Sequence, residues 1–77
     1  GITIEYELPR NADVSLDIFD SYGRFVRTLI SGEQAAGFYS VTWDGISRTD
    51  TIAANGVYFV RFQIPGLTAT RKIVLLK

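Results

Sequence analysis

Apolar and polar residues alternate along most of this 77-residue chain, and no segment shows the apolar spacing of an amphipathic helix. The clearest case is ITIEYEL at residues 2–8, where Ile4 and Tyr6 share one face of an extended strand and Glu5 and Glu7 share the other. Side chains of a strand point alternately to its two sides, so the pattern predicts one buried and one solvated face. The chain is therefore expected to be all-β.

Turn signals divide the chain into about six or seven short strands. Pro9 ends the first alternating run, Gly23 follows the second, and Asn55-Gly56 precedes the dense apolar run VYFVRFQI. Short strands without helices favour a small antiparallel, immunoglobulin-like β-sandwich. We interpret residues 1–77 as a single sandwich domain, which has no disulfide because the chain has no cysteine. The predicted core consists of Ile4, Tyr6, Val14, Leu16, Ile18, Val41, Trp43, Tyr58, Val60 and Phe62.

The last segment, TATRKIVLLK, is predicted to be a strand, because its β-branched residues favour extended structure. Its phase is open: either Ile73 and Leu75 or Val74 and Leu76 point into the core. We prefer Ile73 and Leu75.

Composition excludes several classes of function. Eight basic and eight acidic residues cancel and are dispersed, so the basic stripe that nucleic-acid binding requires is absent. The chain has no histidine and no cysteine, which excludes Ser-His and thiol catalysis and removes the preferred zinc ligands. No apolar run approaches the roughly 20 residues of a membrane-spanning helix. Glu5 and Glu7 share one strand face, and a pair of carboxylates can hydrolyse a glycosidic bond, but we interpret them as a solvated outer face. We predict a non-catalytic protein that needs no cofactor.

The polar loop after Trp43 has two interpretations. Asp44, Ser47, Thr49 and Asp50 carry oxygen atoms of the kind that calcium prefers, but their spacing matches no recognised calcium loop. The simpler interpretation, which we prefer, is that Asp44 accepts hydrogen bonds from nearby backbone amides and forms a turn.

The outward-facing positions contain an unexpected aromatic pair. Phe38 and Phe59 fall opposite the predicted core residues of their strands, where polar side chains are usual. Two interpretations stay open. The rings either lie at strand ends under loops, or form a patch that docks on a neighbouring domain.

Four stretches together resemble a known family: VSLDIFDSYGRFVRTL, GEQAAGFYSVTWDG, NGVYFVRF and RKIVLLK, in this order. They resemble the C-terminal sorting domain of cargo proteins of the bacterial type IX secretion system. They also resemble the closely similar immunoglobulin-like domain of the flagellar hook-capping protein. The family's recognisable segments are carried here by Gly56, Val57 and Tyr58, and by a final strand that comprises Lys72, Ile73, Val74, Leu75, Leu76 and Lys77.

The resemblance implies a non-catalytic secretion, sorting and surface-anchoring domain at the C-terminus of a longer exported bacterial protein. Its partners would be proteins of the secretion machinery, which would read the final strand, and its location would be secreted or at the cell surface. The alternative is a structural accessory domain packed on a neighbouring catalytic or adhesive domain. A third possibility is a carbohydrate-binding module that stacks a sugar on Trp43, although such a tryptophan is more often core.

Overall fold

The computed structural model describes all 77 residues and contains six strands, each paired antiparallel, and no helix. This confirms the predicted small, immunoglobulin-like β-sandwich. The strands are β1 (Ile2–Leu8), β2 (Ala12–Asp20), β3 (Phe25–Gln34), β4 (Gly37–Trp43), β5 (Gly56–Ile64) and β6 (Leu67–Leu75).

The two sheets differ in width. β1 and β4 form a sheet of two strands, in which Ile2 lies opposite Trp43 and Tyr6 lies opposite Tyr39. The other four strands form a sheet in the order β3-β2-β5-β6. The alternating face of β1 that carries Ile4 and Tyr6 packs inward against the wide sheet, as its sequence pattern predicts.

The core lies between the sheets. Six of the ten predicted core residues are buried, and the other four, which are Ile4, Tyr6, Val41 and Phe62, are half-buried and pack against the same cluster. They stay half-buried because a sheet of two strands covers only part of a sheet of four. The buried apolar residues are Leu8, Val14, Leu16, Ile18, Trp43, Tyr58, Val60 and Leu75.

Strand β6 adopts the preferred phase. Leu75 is 2% exposed and Ile73 is half-buried, whereas Val74 is 48% exposed and Leu76 lies beyond the strand. Because alternate residues share a face, the inward side of β6 is the one that carries Leu75.

Strand β3 is longer than its sequence predicts. Residues 31–34 are polar and include a glycine, which is typical of a loop, yet they continue β3 and pair with residues 12–15 of β2. The neighbouring strand supplies backbone partners, which outweigh the low strand propensity of the segment.

The loop between β4 and β5 is fixed to the end of the sandwich. The Trp43 indole N–H donates to the Ile46 carbonyl at 3.0 Å, and Asp44 Oδ1 accepts the Ile46 N–H at 2.9 Å, which is the predicted turn. The Arg48 N–H donates to the Val26 carbonyl, so the loop also lies against β3.

Candidate docking surface

The two predicted docking residues lie on opposite sides of the sandwich. Phe38 is on the outer face of the narrow sheet, 83% exposed, and is paired in register with Glu7. Phe59 lies between the buried Tyr58 and Val60, so it faces outward from the wide sheet. The two rings therefore do not form one patch.

A larger apolar surface surrounds Phe59 on the wide sheet. Phe19 is its register partner on β2, and the Phe25 ring meets the Phe19 ring edge-on at 6.0 Å between centroids. Val57 and Val74 are paired in register on β5 and β6. Of these residues, only Phe59 is predicted from the sequence to belong to a docking patch, because the strand pattern alone does not show which strands are neighbours. We call this surface the aromatic face; it comprises Phe19, Phe25, Val57, Phe59 and Val74.

Cations lie over and beside the aromatic face. The Arg61 guanidinium stands 4.7 Å from the centre of the Phe19 ring, and the Arg48 guanidinium stands 5.6 Å from the centre of the Phe25 ring. Lys72 lies opposite Phe59 in the β5–β6 register. Neither Arg48 nor Lys72 forms an ion pair, so both leave positive charge at this surface.

A buried carboxylate holds Arg61 in place. Asp17 accepts hydrogen bonds from the Ser15 hydroxyl at 2.9 Å and from the Thr28 hydroxyl at 2.6 Å, and its Oδ2 lies 3.6 Å from Arg61 Nη2. A buried charge needs such partners. The arrangement fixes the guanidinium over Phe19, although Arg61 Nε itself has no hydrogen-bond partner.

The residues of the predicted final strand are divided between core and surface. Ile73 and Leu75 face the core, Lys72 and Val74 face outward, and β6 ends at Leu75. The Lys77 backbone N–H donates to Asn55 Oδ1 at 3.1 Å, and its ammonium group donates to the Ala53 carbonyl. The role of this strand in recognition stays a prediction.

The residues of the predicted family motif have structural roles in this fold. Gly56 begins β5 at φ +146°, a backbone conformation that other residues rarely adopt. The Tyr58 hydroxyl donates to the Ala54 carbonyl at 2.6 Å, and the Tyr58 ring meets the Trp43 ring edge-on at 5.1 Å. Gly56, Val57 and Tyr58 thus join the loop to the core and to the aromatic face.

Two other candidate sites have little geometric support. Trp43 is 1% exposed, so it presents no ring face on which a sugar stacks, and the carbohydrate-binding interpretation fails. No three His, Cys, Asp or Glu residues converge in a group suited to hold a metal ion.

No helix of the structure is long and apolar enough to cross a membrane.

Comparison with known proteins points to one family. Residues 1–64 match the family model described as the FlgD Ig-like domain. The chain is 47% identical over 53 residues to the basal-body rod modification protein FlgD of Salmonella typhimurium, a match that covers 68% of this chain and 23% of that protein. It is 46% identical over 55 residues to the protein of the same name from Escherichia coli K12, covering 70% of this chain and 24% of that protein. The chain thus spans about a quarter of the length of these relatives. No solved structure matches it.

These relatives correct the function predicted from sequence. The immunoglobulin-like part of the resemblance holds, but the assignment to type IX secretion is wrong, because the relatives are named for the flagellar basal-body rod. The predicted sorting signal, the secretion-machinery partners and the secreted or cell-surface location depended on that assignment and are wrong with it. The alternative, a structural immunoglobulin-like accessory domain, agrees better with these matches.

Proposed function

This chain belongs to the FlgD Ig-like domain family, and we propose that it is a non-catalytic structural domain that docks on a neighbouring domain of a longer protein. The observation that carries the proposal is the aromatic face, an apolar surface on the outside of a sheet where solvated side chains are usual. Its exposed members include Phe25 at 44% and Val74 at 48%. Contiguous apolar patches of this kind mark interaction sites.

The occupant that we propose is a domain of the same polypeptide. The relatives are about four times as long as the matched region, so in them an immunoglobulin-like domain of this kind has neighbours in its own chain. Arg48 and Lys72 beside the aromatic face have no ion-pair partner in this domain, and an apolar surface with acidic residues at its rim would complement them.

The test compares unfolding of the 77-residue domain alone and within the longer protein. We expect docking to raise the melting temperature of the domain in the longer protein. Phe25→Ser with Val74→Ser should abolish that increase, and Phe38→Ser, on the opposite sheet, should preserve it. Because each variant is measured in both forms, its intrinsic effect on stability cancels. An identical melting temperature for the wild-type domain in both forms would refute docking.

We further propose that the longer protein takes part in modification of the flagellar basal-body rod, as the names of the relatives state for those proteins. Deletion of its gene should abolish swimming, and the wild-type gene should restore it. A gene that carries Phe25→Ser with Val74→Ser should restore swimming less well than one that carries Phe38→Ser. Undiminished swimming of the deletion strain would exclude the flagellar role and leave the docking proposal to the unfolding experiment.

A further inference from the structure

The two open sides of the sandwich are not equally covered. On the side formed by β3 and β4, the gap is smaller, about 240 Å³, and the loop after Trp43 crosses one end of it: the Arg27 guanidinium donates to the Ile46 carbonyl at 3.2 Å, and the Arg48 N–H donates to the Val26 carbonyl. On the other side, β1 and β6 are the free edges of their sheets, and no strand pairs with either edge. A groove of about 450 Å³ runs between them.

Inward-facing residues of both sheets line the groove. Consecutive residues 3–7 of β1 form one wall, so the backbone edge of that strand faces the groove as well as its side chains. Leu16, Val60 and Phe62 of the wide sheet form the floor, and residues of β6 form the other wall. The Tyr6 ring stacks on Tyr39 and contacts Phe62, with ring centroids 5.2 Å and 5.1 Å apart.

The narrow sheet leaves most of the inward face of β6 exposed. Leu75, Ile73, Arg71, Ala69 and Leu67 share this face, because residues of a strand alternate. Leu75 is buried and Ile73 is half-buried, but Arg71 and Ala69 are exposed and Leu67 is 53% exposed. The narrow sheet covers only one end of β6.

The free edge of β1 has few of the features that protect sheet edges from further pairing. Natural edges carry bulges, proline or charged side chains, lysine above all, and the only charges of β1 are Glu5 and Glu7 on its outer face. β1 is seven residues long, has no proline or lysine, and pairs with β4 without a register shift. By contrast, the edge strand β3 has two register shifts against β2, and β6 carries Arg71 and Lys72.

We propose that this groove binds an extended segment of the longer polypeptide, which adds to the narrow sheet as a strand antiparallel to β1. The inference rests on the proposed function, since it takes the domain to be part of a longer protein. Alternate side chains of the segment are apolar and cover the inward face of β6. The intervening side chains lie on the outer face beside Glu5 and Glu7, so lysine or arginine suits them.

The chain ends favour a segment of the same polypeptide. Gly1 adjoins the Trp43 carbonyl, and the Lys77 N–H donates to Asn55, so both ends lie at the end of the sandwich where Trp43 meets Tyr58. A strand that precedes Gly1 and turns into β1 at this end therefore runs antiparallel to β1 along the groove. A second copy that paired through its own β1 would bring Glu5 and Glu7 of both copies onto one face, and like charges on neighbouring strands repel.

The proposed alternation of apolar and polar or basic side chains is tested with the peptide TVKVKVT, in which valine alternates with lysine or threonine. The control is the reordered peptide VVVTTKK, which has the same composition. In NMR titrations of the 77-residue chain, TVKVKVT should shift the amide signals of β1 and the methyl signals of Ala69 and Ile73. Glu5→Lys with Glu7→Lys should weaken binding about tenfold, because two attractions become repulsions. Val74→Ser on the aromatic face should leave binding unchanged. Equal binding of both peptides, or shifts confined to other strands, would overturn the proposal.

The source of the strand is tested by hydrogen exchange of β1 in the longer protein and in the 77-residue chain. Slower exchange of β1 in the longer protein, independent of concentration, supports a strand from the same polypeptide. Protection that appears only at high concentration indicates a second copy, and equal exchange in both forms indicates no added strand; either result overturns the proposal. Loss of docking by the aromatic face with β1 still protected would refute the proposed function alone.

Discussion

At the scale of single residues, Trp43 should determine whether the domain folds. Its ring is buried between the sheets, contacts Tyr58 and donates a hydrogen bond to the Ile46 carbonyl, so it joins core and loop. Trp→Ala in a core costs roughly 3–5 kcal/mol. A single core of this size supplies about 3–5 kcal/mol. We expect Trp43→Ala to lack a cooperative thermal transition measured by circular dichroism.

Two variants control this prediction. Trp43→Phe retains an aromatic ring and should unfold cooperatively at a lower temperature, since it removes the indole N–H bond to the Ile46 carbonyl and leaves that carbonyl only its bond from Arg27. Leu76→Ala alters an exposed residue outside the strands and should change stability by no more than about 0.5 kcal/mol. A Trp43→Ala domain that melts at the wild-type temperature would show that this residue is dispensable.

Asp20 should make the β2–β3 turn sensitive to acid. Its carboxylate accepts the N–H groups of Tyr22 and Arg24 and pairs with Arg24 Nε at 2.8 Å. Desolvation acts to raise the pKa of Asp20, but the hydrogen bonds and the charge of Arg24 outweigh it, so the pKa is lower than usual. The stabilisation is therefore complete above the pKa of the unfolded chain, about 3.9, and is lost as the pH falls through the folded value.

The variant Asp20→Asn isolates this charge, because its amide oxygen still accepts backbone N–H groups. We expect the variant to melt below the wild type at pH 7 and the difference to shrink as the pH is lowered towards 2. Melting curves of both proteins between pH 7 and pH 2 measure this difference in melting temperature. A difference that stays constant with pH would mean that the ionised carboxylate does not stabilise the turn.

At the scale of elements, β6 offers adjacent residues with opposite roles. Leu75→Ala removes a buried side chain and should destabilise the domain by about 2–5 kcal/mol. Val74→Ala removes an outward side chain whose cross-strand neighbour is Val57, so less than about 1 kcal/mol is expected. Urea unfolding of both variants measures the two losses in the free energy of unfolding. Equal losses, or a larger loss for Val74→Ala, would contradict the phase of this strand.

The alternating pattern predicts which residues of a strand share a face, but not which strands are neighbours. This is why the strands and most of the core follow from the sequence. The expectation that Phe38 and Phe59 form one patch does not hold. Both point outward, but β4 and β5 lie in different sheets. Phe25 joins Phe59 only through the pairing of β2 with both β3 and β5, a long-range contact that no local pattern encodes.

At the scale of the whole molecule, the unequal sheets imply unequal local stability. β2 and β5 are the central strands of the wide sheet, and their inward residues Leu16, Ile18 and Val60 are buried. β1 and β4 have only each other, and a two-stranded sheet is marginal in water unless packing supports it. That packing comes from the buried Leu8 and Trp43 and from half-buried residues such as Ile4.

Opening of the narrow sheet should therefore precede unfolding of the whole domain. In hydrogen exchange of the 77-residue chain, we expect the paired amides of β2 and β5 to exchange most slowly, near the rate set by global unfolding. The paired amides of β1 and β4 should exchange faster, and denaturant should affect their exchange less, because local opening exposes less surface than global unfolding. Equal exchange rates and equal denaturant dependence in both sheets would show instead that the sandwich opens as one cooperative unit.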